Sequence, residues 1–358
     1  MSHIRKIFII AGEASGDIYG GLIAQHLKEC ELRGWGGEHM QNAGVKTSTH
    51  YKDLAYMGLW EVLKNIRTIK GNLDRCKREI IEYNPDAIIM IDFPGFNMRI
   101  AEFAHSKGIA TYQVVAPQVW AWKAGRIKSL AKNYNAVFPV LPFENEMLQN
   151  GGVNSQFMGH PLLEILDLKT TQRTSTLALL PGSRKQEINK LLPILIEAAK
   201  TAPHLKPIVA GAPGADPSAY EAAKDAGIEV RFGVTRKLIA EAELAIVTSG
   251  TATLETALLN TPHIIVYKTS WFTYLAARLV VKVKHIGLPN ILLNQSLIPE
   301  LIQHHCNSIS IASELQNLQT PKNKEAQQKG FAELRMLLKC DGSPTKRIAD
   351  YVLKDTSL

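Results

Sequence analysis

The sequence predicts an α/β chain of two Rossmann-like, doubly wound parallel-sheet domains facing a deep cleft. Short aliphatic or β-branched runs recur at 7–10, 87–91, 111–115, 136–140, 177–180, 208–210, 244–247 and 263–267. Each major run leads into a turn and then a segment of helical periodicity, the rhythm of βα units whose strands are buried on both faces. The length, 358 residues, exceeds one ordinary core and suits two domains.

The first domain is expected over 1–167 and the second over 168–340. Between them GHPLLEILDLKTTQRTS, residues 159–175, shifts from apolar to polar before a fresh strand begins. Ligands of parallel sheets sit beyond the carboxyl ends of the strands, so function is sought in the turns that follow them.

Composition narrows the class. Apolar residues at 46% and charged residues at 21%, without a low-complexity tract, describe a globular chain. The 41 basic residues against 33 acidic ones leave a net charge of +8, which favours nucleic acid, anionic lipid or phosphorylated substrates as partners. Cys30, Cys76, Cys306 and Cys340 are isolated, which argues against a disulfide framework or zinc site and fits a reducing cytoplasm. His304, His305 and Cys306 are adjacent, but neighbouring positions rarely converge on one ion, so no metal is expected. No apolar run approaches the roughly 20 residues of a membrane span, and no signal-peptide pattern opens the chain. The expectation is a cytoplasmic protein.

Two turns of the second half suit a nucleotide. In PGSRKQEINKLLPIL, Pro181 and Gly182 turn the chain, Ser183 is placed to cap a helix, and Arg184 adds a positive fork suited to a diphosphate. A surface Arg beside a helix cap is the plainer alternative. In TSGTATLETALL, which contains Ser249, Gly250 allows close backbone approach, Thr251 is placed to cap, and Glu255 lies one turn inside. Glu255 suits ribose hydroxyls or simply complements the helix dipole. No G-x-x-x-x-G-K-[ST] occurs, so a P-loop is excluded, and the two turns together point to a nucleotide-sugar enzyme.

The first half supplies acids. AGEASGD, residues 11–17, is a sharp strand-to-helix turn framed by Gly12 and Gly16, yet Glu13 and Asp17 would repel a phosphate. Sugar hydroxyls or the turn's own backbone suit them better, with Ser15 as helix cap. IDFPGFN places Asp92 at a strand end, either as a general base for a sugar hydroxyl or as a cap of its own turn. PQVWAW offers Gln118 and Trp120, whose indole stacks on a sugar, packs an acyl chain or lines a core. In GLWEVLKNIRTIK, residues 58–70, Leu59, Val62, Leu63, Ile66 and Ile69 recur at helical spacing beside Trp60, with Lys64, Arg67 and Lys70 at the edge. Such a helix faces a core or lies on an anionic bilayer, and 271–285 repeats the theme; no RNA-binding motif favours nucleic acid.

AGEASGD, MGLWEVLKN, IDFPGFN, PQVWAW, LPFE, GHP, LPGSR, SGTATLE and LPN with PELIQ occur in order across nearly the whole chain. This set closely resembles the lipid-A-disaccharide synthases, family-19 glycosyltransferases. The resemblance implies a GT-B fold, an acceptor domain followed by a nucleotide-sugar domain, and an inverting transfer without metal or cofactor. It implies UDP-2,3-diacylglucosamine as donor, 2,3-diacylglucosamine 1-phosphate as acceptor, and UDP with a β-1,6-linked disaccharide 1-phosphate as products, made at the inner face of the cytoplasmic membrane. It places the essential acid at Asp92 and the diphosphate arginine at Arg184, with Glu255 facing the nucleotide and Asn290, Glu300 and Gln303 in a polar cluster of the site. Some members carry a second acid where this chain has Gly95, so Asp92 is expected to act alone. The segment 341–358 is expected to pack back on the first domain or to be exchanged within a homodimer. Another UDP-sugar enzyme of the same fold, such as an epimerase or lipid-linked sugar transferase, and a basic nucleotide- or RNA-binding module are the alternatives.

Overall fold

In the computed structural model, residues 4–54, 66–122, 125–168, 172–270, 274 and 284–356 are described. The chain divides into two units, Met1–Pro161 with Leu338–Leu358, and Leu162–Leu337.

The first unit holds β1 (Lys6–Ala11), β2 (Glu31–Gly36), β3 (Lys46–His50), β4 (Ala87–Ile91), β5 (Ala110–Val114) and β6 (Ala136–Phe138), in the order β3-β2-β1-β4-β5-β6. The second holds β7 (Thr174–Leu180), β8 (Lys206–Gly211), β9 (Glu229–Phe232), β10 (Ala242–Thr248), β11 (His263–Tyr267) and β12 (Glu300–Ile302), in the order β12-β11-β10-β7-β8-β9. All pairings between these strands are parallel. The two doubly wound sheets expected from the sequence are therefore present, and they share one strand order. Each expected run falls on one of them, although the runs at 111–115 and 136–140 outlast β5 and β6, and β2, β3, β9 and β12 are additional.

Central strands are aliphatic because helices cover both faces. Ala87 to Ile91 are fully buried, and Ile88 and Met90 pack with Phe96, Ile100 and Ala104 of the Pro94–Ser106 helix. The Ile66–Tyr83 helix adds Leu73, Cys76, Ile80 and Tyr83, an apolar stripe at helical spacing. In the second unit Leu177 and Leu179 pack with Ile188, Leu191, Leu192 and Leu195 of the Lys185–Ala199 helix.

Asp17 lies on the Ala14–Ala24 helix and is only 1% exposed. Its carboxylate accepts the backbone N–H groups of Gly37 at 2.6 Å, His39 at 3.0 Å and Met40 at 3.1 Å. These belong to the start of the Glu38–Asn42 helix, where a negative charge also meets the positive end of the helix. The neighbouring glycine is required, because a side chain on Gly37 would meet Tyr51 and the Asp17 carboxylate.

The Pro344–Asp355 helix packs on the first unit of its own chain. Ile348, Ala349 and Val352 are buried, Tyr112 donates its hydroxyl to Asp355, and Tyr351 meets Phe138 edge-on at 5.3 Å. The adjoining backbone is tied by His160 N–H to the Leu338 carbonyl at 3.0 Å.

Replacing Asp17 with Ala leaves three backbone donors without their carboxylate. The expected loss is about 3 kcal/mol of stability, on the scale of hydrogen bonds to buried charges. It is read from the midpoint of chemical denaturation, and an unchanged midpoint rejects the anchoring role.

Candidate functional site

In each sheet the chain builds the first strand, extends to one side, and then returns to the other side of that strand. The switch point lies between β1 and β4 in the first unit and between β7 and β10 in the second. Open parallel sheets bind ligands beyond the carboxyl ends of strands at such points. AGEASGD and Asp92 flank the first, and the turns at 181–184 and 249–251 flank the second.

At the first point, β4 ends in two consecutive left-handed residues, Asp92 with φ 48° and Phe93 with φ 49°. Such conformations cost about 1–3 kcal/mol each and need external support. The Asp92 N–H donates to the Val114 carbonyl at 2.9 Å, while the Asp92 carbonyl accepts Asn97 Nδ2 at 2.7 Å and Gln113 Nε2 at 3.1 Å. Gln113 Nε2 also donates to the carbonyl of Val115, another left-handed residue. Two buried amides thus hold the turn that carries Asp92. The Phe93 ring lies where a Cβ on Gly12 would be, which interlocks the turns after β1 and β4.

Burial raises the proton affinity of the Asp92 carboxyl, with the Phe93 N–H offsetting part of the rise. Glu144, in the first turn of the Pro142–Asn150 helix, is a second acid with raised proton affinity, and it is buried. It accepts Trp120 Nε1 at 2.8 Å and the Leu141 N–H at 3.3 Å. Burial pushes it up to about 7 against the pull of those two donors, and the negative charge of Asp92 adds to the rise. Glu144 ends the LPFE stretch, but nothing in its sequence neighbourhood marks it as part of the site. Gly95 leaves open space for a Cβ, so nothing steric excludes a second acid there.

The other residues expected at this site are placed as follows. Gly12 is buried, Glu13 is half-buried, and Ser15 and Gln118 are exposed. Ser15 does not cap the Ala14–Ala24 helix: Glu13 holds the cap position and makes no side-chain capping bond, so Ser15 falls inside the first turn. Asp17 faces inward as described, its oxygens taken by backbone N–H groups rather than presented to a ligand. Trp120 is half-buried and meets Phe143 edge-on at 5.3 Å. Leu59, Trp60, Val62, Leu63 and the Ile66 side chain lie outside the described residues. Ile69 is half-buried, one turn before Leu73 on the stripe that faces the core.

At the second point, Gly182 adopts φ 113°, a conformation that favours glycine, and a Cβ there would lie 2.8 Å from the Glu187 carboxylate. Glu187 accepts Arg184 Nη1 at 2.9 Å, and the Arg184 side chain is 61% exposed. A surface pair of this kind contributes about 1 kcal/mol or less, so the guanidinium is easily drawn to a stronger anion. Ser183 is exposed, and it is Arg184 that holds the cap position of the Lys185–Ala199 helix. Gly250, not Thr251, likewise holds the cap position of the Thr251–Leu258 helix. Both capping expectations are corrected by one position; neither cap residue makes a side-chain capping bond.

Glu255 is held by Arg236, whose Nε and Nη2 donate to Oε1 at 3.1 and 3.0 Å. Arg236 was not anticipated, because β9, which leads into its helix, was not. Ser249 donates its hydroxyl to the Ile286 carbonyl at 3.0 Å. Glu300 accepts the N–H groups of Ile286 at 2.8 Å and Gly287 at 3.0 Å and Asn290 Nδ2 at 2.8 Å. Asn290 is buried and closes the loop further through Ile298. Gln303, left-handed and 4% exposed, accepts the Thr269 N–H at 2.9 Å. The polar cluster is therefore an internal brace for the 286–300 loop and the end of β11. His304 and His305 are exposed.

Paired doubly wound units with turns of this kind define the GT-B class, and solved structures share the fold. A UDP-GlcNAc 2-epimerase from Neisseria meningitidis, solved bound to UDP-GlcNAc, aligns with TM-score 0.65 and 13% identity over 98% of this chain and 100% of its own. CalG4, the calicheamicin glycosyltransferase, aligns with TM-score 0.63 and 13% identity over 98% of both chains. The family profile described as lipid-A-disaccharide synthetase matches residues 7–346. The lipid-A-disaccharide synthase of Syntrophus aciditrophicus (strain SB) is 36% identical over 95% of each chain, and that of Sulfurihydrogenibium sp. (strain YO3AOP1) 34% over 92% of this chain and 93% of its own. The chain belongs to the lipid-A-disaccharide synthase family.

Between the ordinary carboxyl range and about 7, folded Glu144 keeps a proton that the unfolded chain has lost. The folded state then binds more protons, so this group's contribution to stability falls as pH rises through that window and levels off above it. Replacing Glu144 with Gln removes the titration. The variant's melting temperature relative to the parent is expected to rise from about pH 5 to about pH 8, by the equivalent of about 3 kcal/mol. A difference that does not vary with pH rejects the shifted titration.

Proposed function

We propose that this chain condenses UDP-2,3-diacylglucosamine with 2,3-diacylglucosamine 1-phosphate, releasing UDP and the β-1,6-linked disaccharide 1-phosphate. Membership of the family supports the reaction, and one observation of the structure carries the mechanism: Asp92 stands at the switch point of the first sheet, half-buried, with raised proton affinity. A sugar hydroxyl is a weak nucleophile until a positioned base takes its proton, and a carboxylate whose proton affinity has been raised is a better base. Asp92 accepts the proton of the acceptor 6-hydroxyl as that oxygen attacks the anomeric carbon from the face opposite the departing UDP. The configuration inverts in a single displacement.

Negative charge developing on the diphosphate is met by Arg184 and by the N-terminal ends of the Lys185–Ala199 and Thr251–Leu258 helices. Ser183, Ser249, Gly250 and Thr251 line that turn pair, and Glu255, steered by Arg236, suits the ribose hydroxyls. Gly12, Glu13, Ser15, Gln118 and Trp120 border the acceptor. The brace of Asn290, Glu300 and Gln303 supports the nucleotide half through backbone placement.

No helix of the described residues is long and apolar enough to cross a membrane. The basic, apolar pattern of 58–70 supports peripheral contact with an anionic surface, where both lipid substrates reside, on the cytoplasmic side.

The test is disaccharide and UDP formation by the purified chain supplied with both lipids. Replacing Asp92 with Asn is expected to lower turnover at least ~10²-fold, the lower end of general-base contributions, with UDP affinity kept. Substantial retained turnover rejects Asp92 as the base. Replacing Leu63 and Ile66 together with Ser is expected to release the protein from anionic vesicles in a sedimentation assay, whereas unchanged sedimentation excludes that segment as the anchor.

A further inference from the structure

We propose that Glu144 is a positioning residue of the acceptor half-site: it fixes the Trp120 indole as an apolar wall near Asp92, and the C–H face of the acceptor's sugar ring rests against that wall. The inference rests on the transferase reading above and adds to it the subsite that orients the acceptor.

Asp92, Trp120 and Glu144 follow β4, β5 and β6, three neighbouring strands of one sheet. Adjacent strands lie about 4.8 Å apart, so the three segments leave the sheet side by side from one carboxyl edge, and the negative charge of Asp92 is felt at Glu144. Glu144 is 2% exposed, and its shorter bond is to the indole at 2.8 Å, not to the Leu141 N–H at 3.3 Å. A buried carboxyl is expensive to keep, and no cation figures among the influences on its proton affinity. Completing a helix cap through one long bond is weak compensation for that cost. Fixing an indole that must stay in one orientation accounts for the stronger bond.

The consequence for Trp120 is chemical. Its N–H is its one polar group, and Glu144 occupies it, so what the indole offers a ligand is π surface and edge. Phe143 closes against it at 81° and is itself 36% exposed. Paired aromatic rings with a fixed tilt suit the C–H face of a pyranose, whose hydroxyls then project from the ring edge toward the base.

The experiment measures steady-state kinetics of the full chain with each lipid varied in turn, together with direct binding of 2,3-diacylglucosamine 1-phosphate. Glu144→Gln keeps an oxygen that accepts the indole N–H, and is expected to leave both KM values within about twofold. Glu144→Leu is expected to raise acceptor KM and Kd about tenfold, with donor KM and UDP affinity unchanged, the loss expected for about 1.4 kcal/mol of misplaced contact. Trp120→Leu should do at least as much. An unchanged acceptor KM in Glu144→Leu, an equal rise in both KM values, or a Gln variant as poor as the Leu variant overturns the proposal. Should Glu144→Leu fail to fold, Trp120→Leu decides by the same split between acceptor and donor. A parent chain that binds the acceptor yet forms no disaccharide removes the transferase reading and leaves the acceptor Kd values to judge this one.

Discussion

The hold of Gln113 and Asn97 on the turn after β4 is the constraint on which the first half-site depends. Without it, two adjacent left-handed residues, one of them phenylalanine, would relax toward ordinary backbone. That relaxation would move three things together: the Asp92 carboxyl, the Phe93 ring over Gly12, and the start of the Pro94–Ser106 helix. Gln113 does this from inside β5, fully buried, by donating to carbonyls of β4's end and of its own strand's end. Strain at the carboxylate proposed as the base is thus supported by side chains fully buried in and against the sheet, the pattern expected where a geometry must be kept.

The two units repeat one topology and reach opposite electrostatics. Along the carboxyl edge of the first sheet the prominent groups are carboxyls with raised proton affinity, half-buried Asp92 at the switch point and buried Glu144 after β6. At the second they are an exposed guanidinium and the N-terminal ends of two helices. Burial sets the difference. The proposed base gains from low dielectric, whereas an arginine proposed for a diphosphate gains from an accessible fork and a weak ion pair such as that with Glu187.

Much of this was legible in the sequence, for physical reasons. Central parallel strands such as AIIMI at β4 read as unbroken apolar runs because both faces are covered. Strands toward the sheet margins did not: β9 carries a Glu229–Arg231 ion pair, β3 reads KTSTH, β12 has three residues, and the inner β2 is interrupted by Gly34. Gly34 is needed there because a Cβ would overlap the Ile9 carbonyl. Turns at strand ends located Asp92, Arg184 and Glu255, since position alone marks them. Gln113, which holds Asp92, Arg236, which holds Glu255, and Glu144, which holds Trp120, were invisible, because each acts across 19 to 24 residues and only the fold brings the pairs together. The misplaced caps share one cause: these helices begin on residues that do not cap with a side chain, so a Ser or Thr signal pointed past the cap for Ser15 and Thr251 and one position short of it for Ser183.

AGEASGD has the outline of a phosphate-binding turn, and its glycines explain why that outline misleads. Gly12 is small because an aromatic ring from the β4 turn lies over it, and Gly16 because a Cβ there would come within 3.3 Å of the Ala11 side chain. Neither requirement involves an anion. Asp17 then faces backbone N–H groups at a helix start, the partner a phosphate would otherwise seek, but one belonging to the chain itself. Gly182, by contrast, combines a left-handed backbone with an exposed arginine two residues on and a helix start that lacks a side-chain cap. A glycine turn therefore identifies a close approach but not what approaches. The charge next to it and the partner already in place distinguish an acceptor-side turn from a diphosphate cradle.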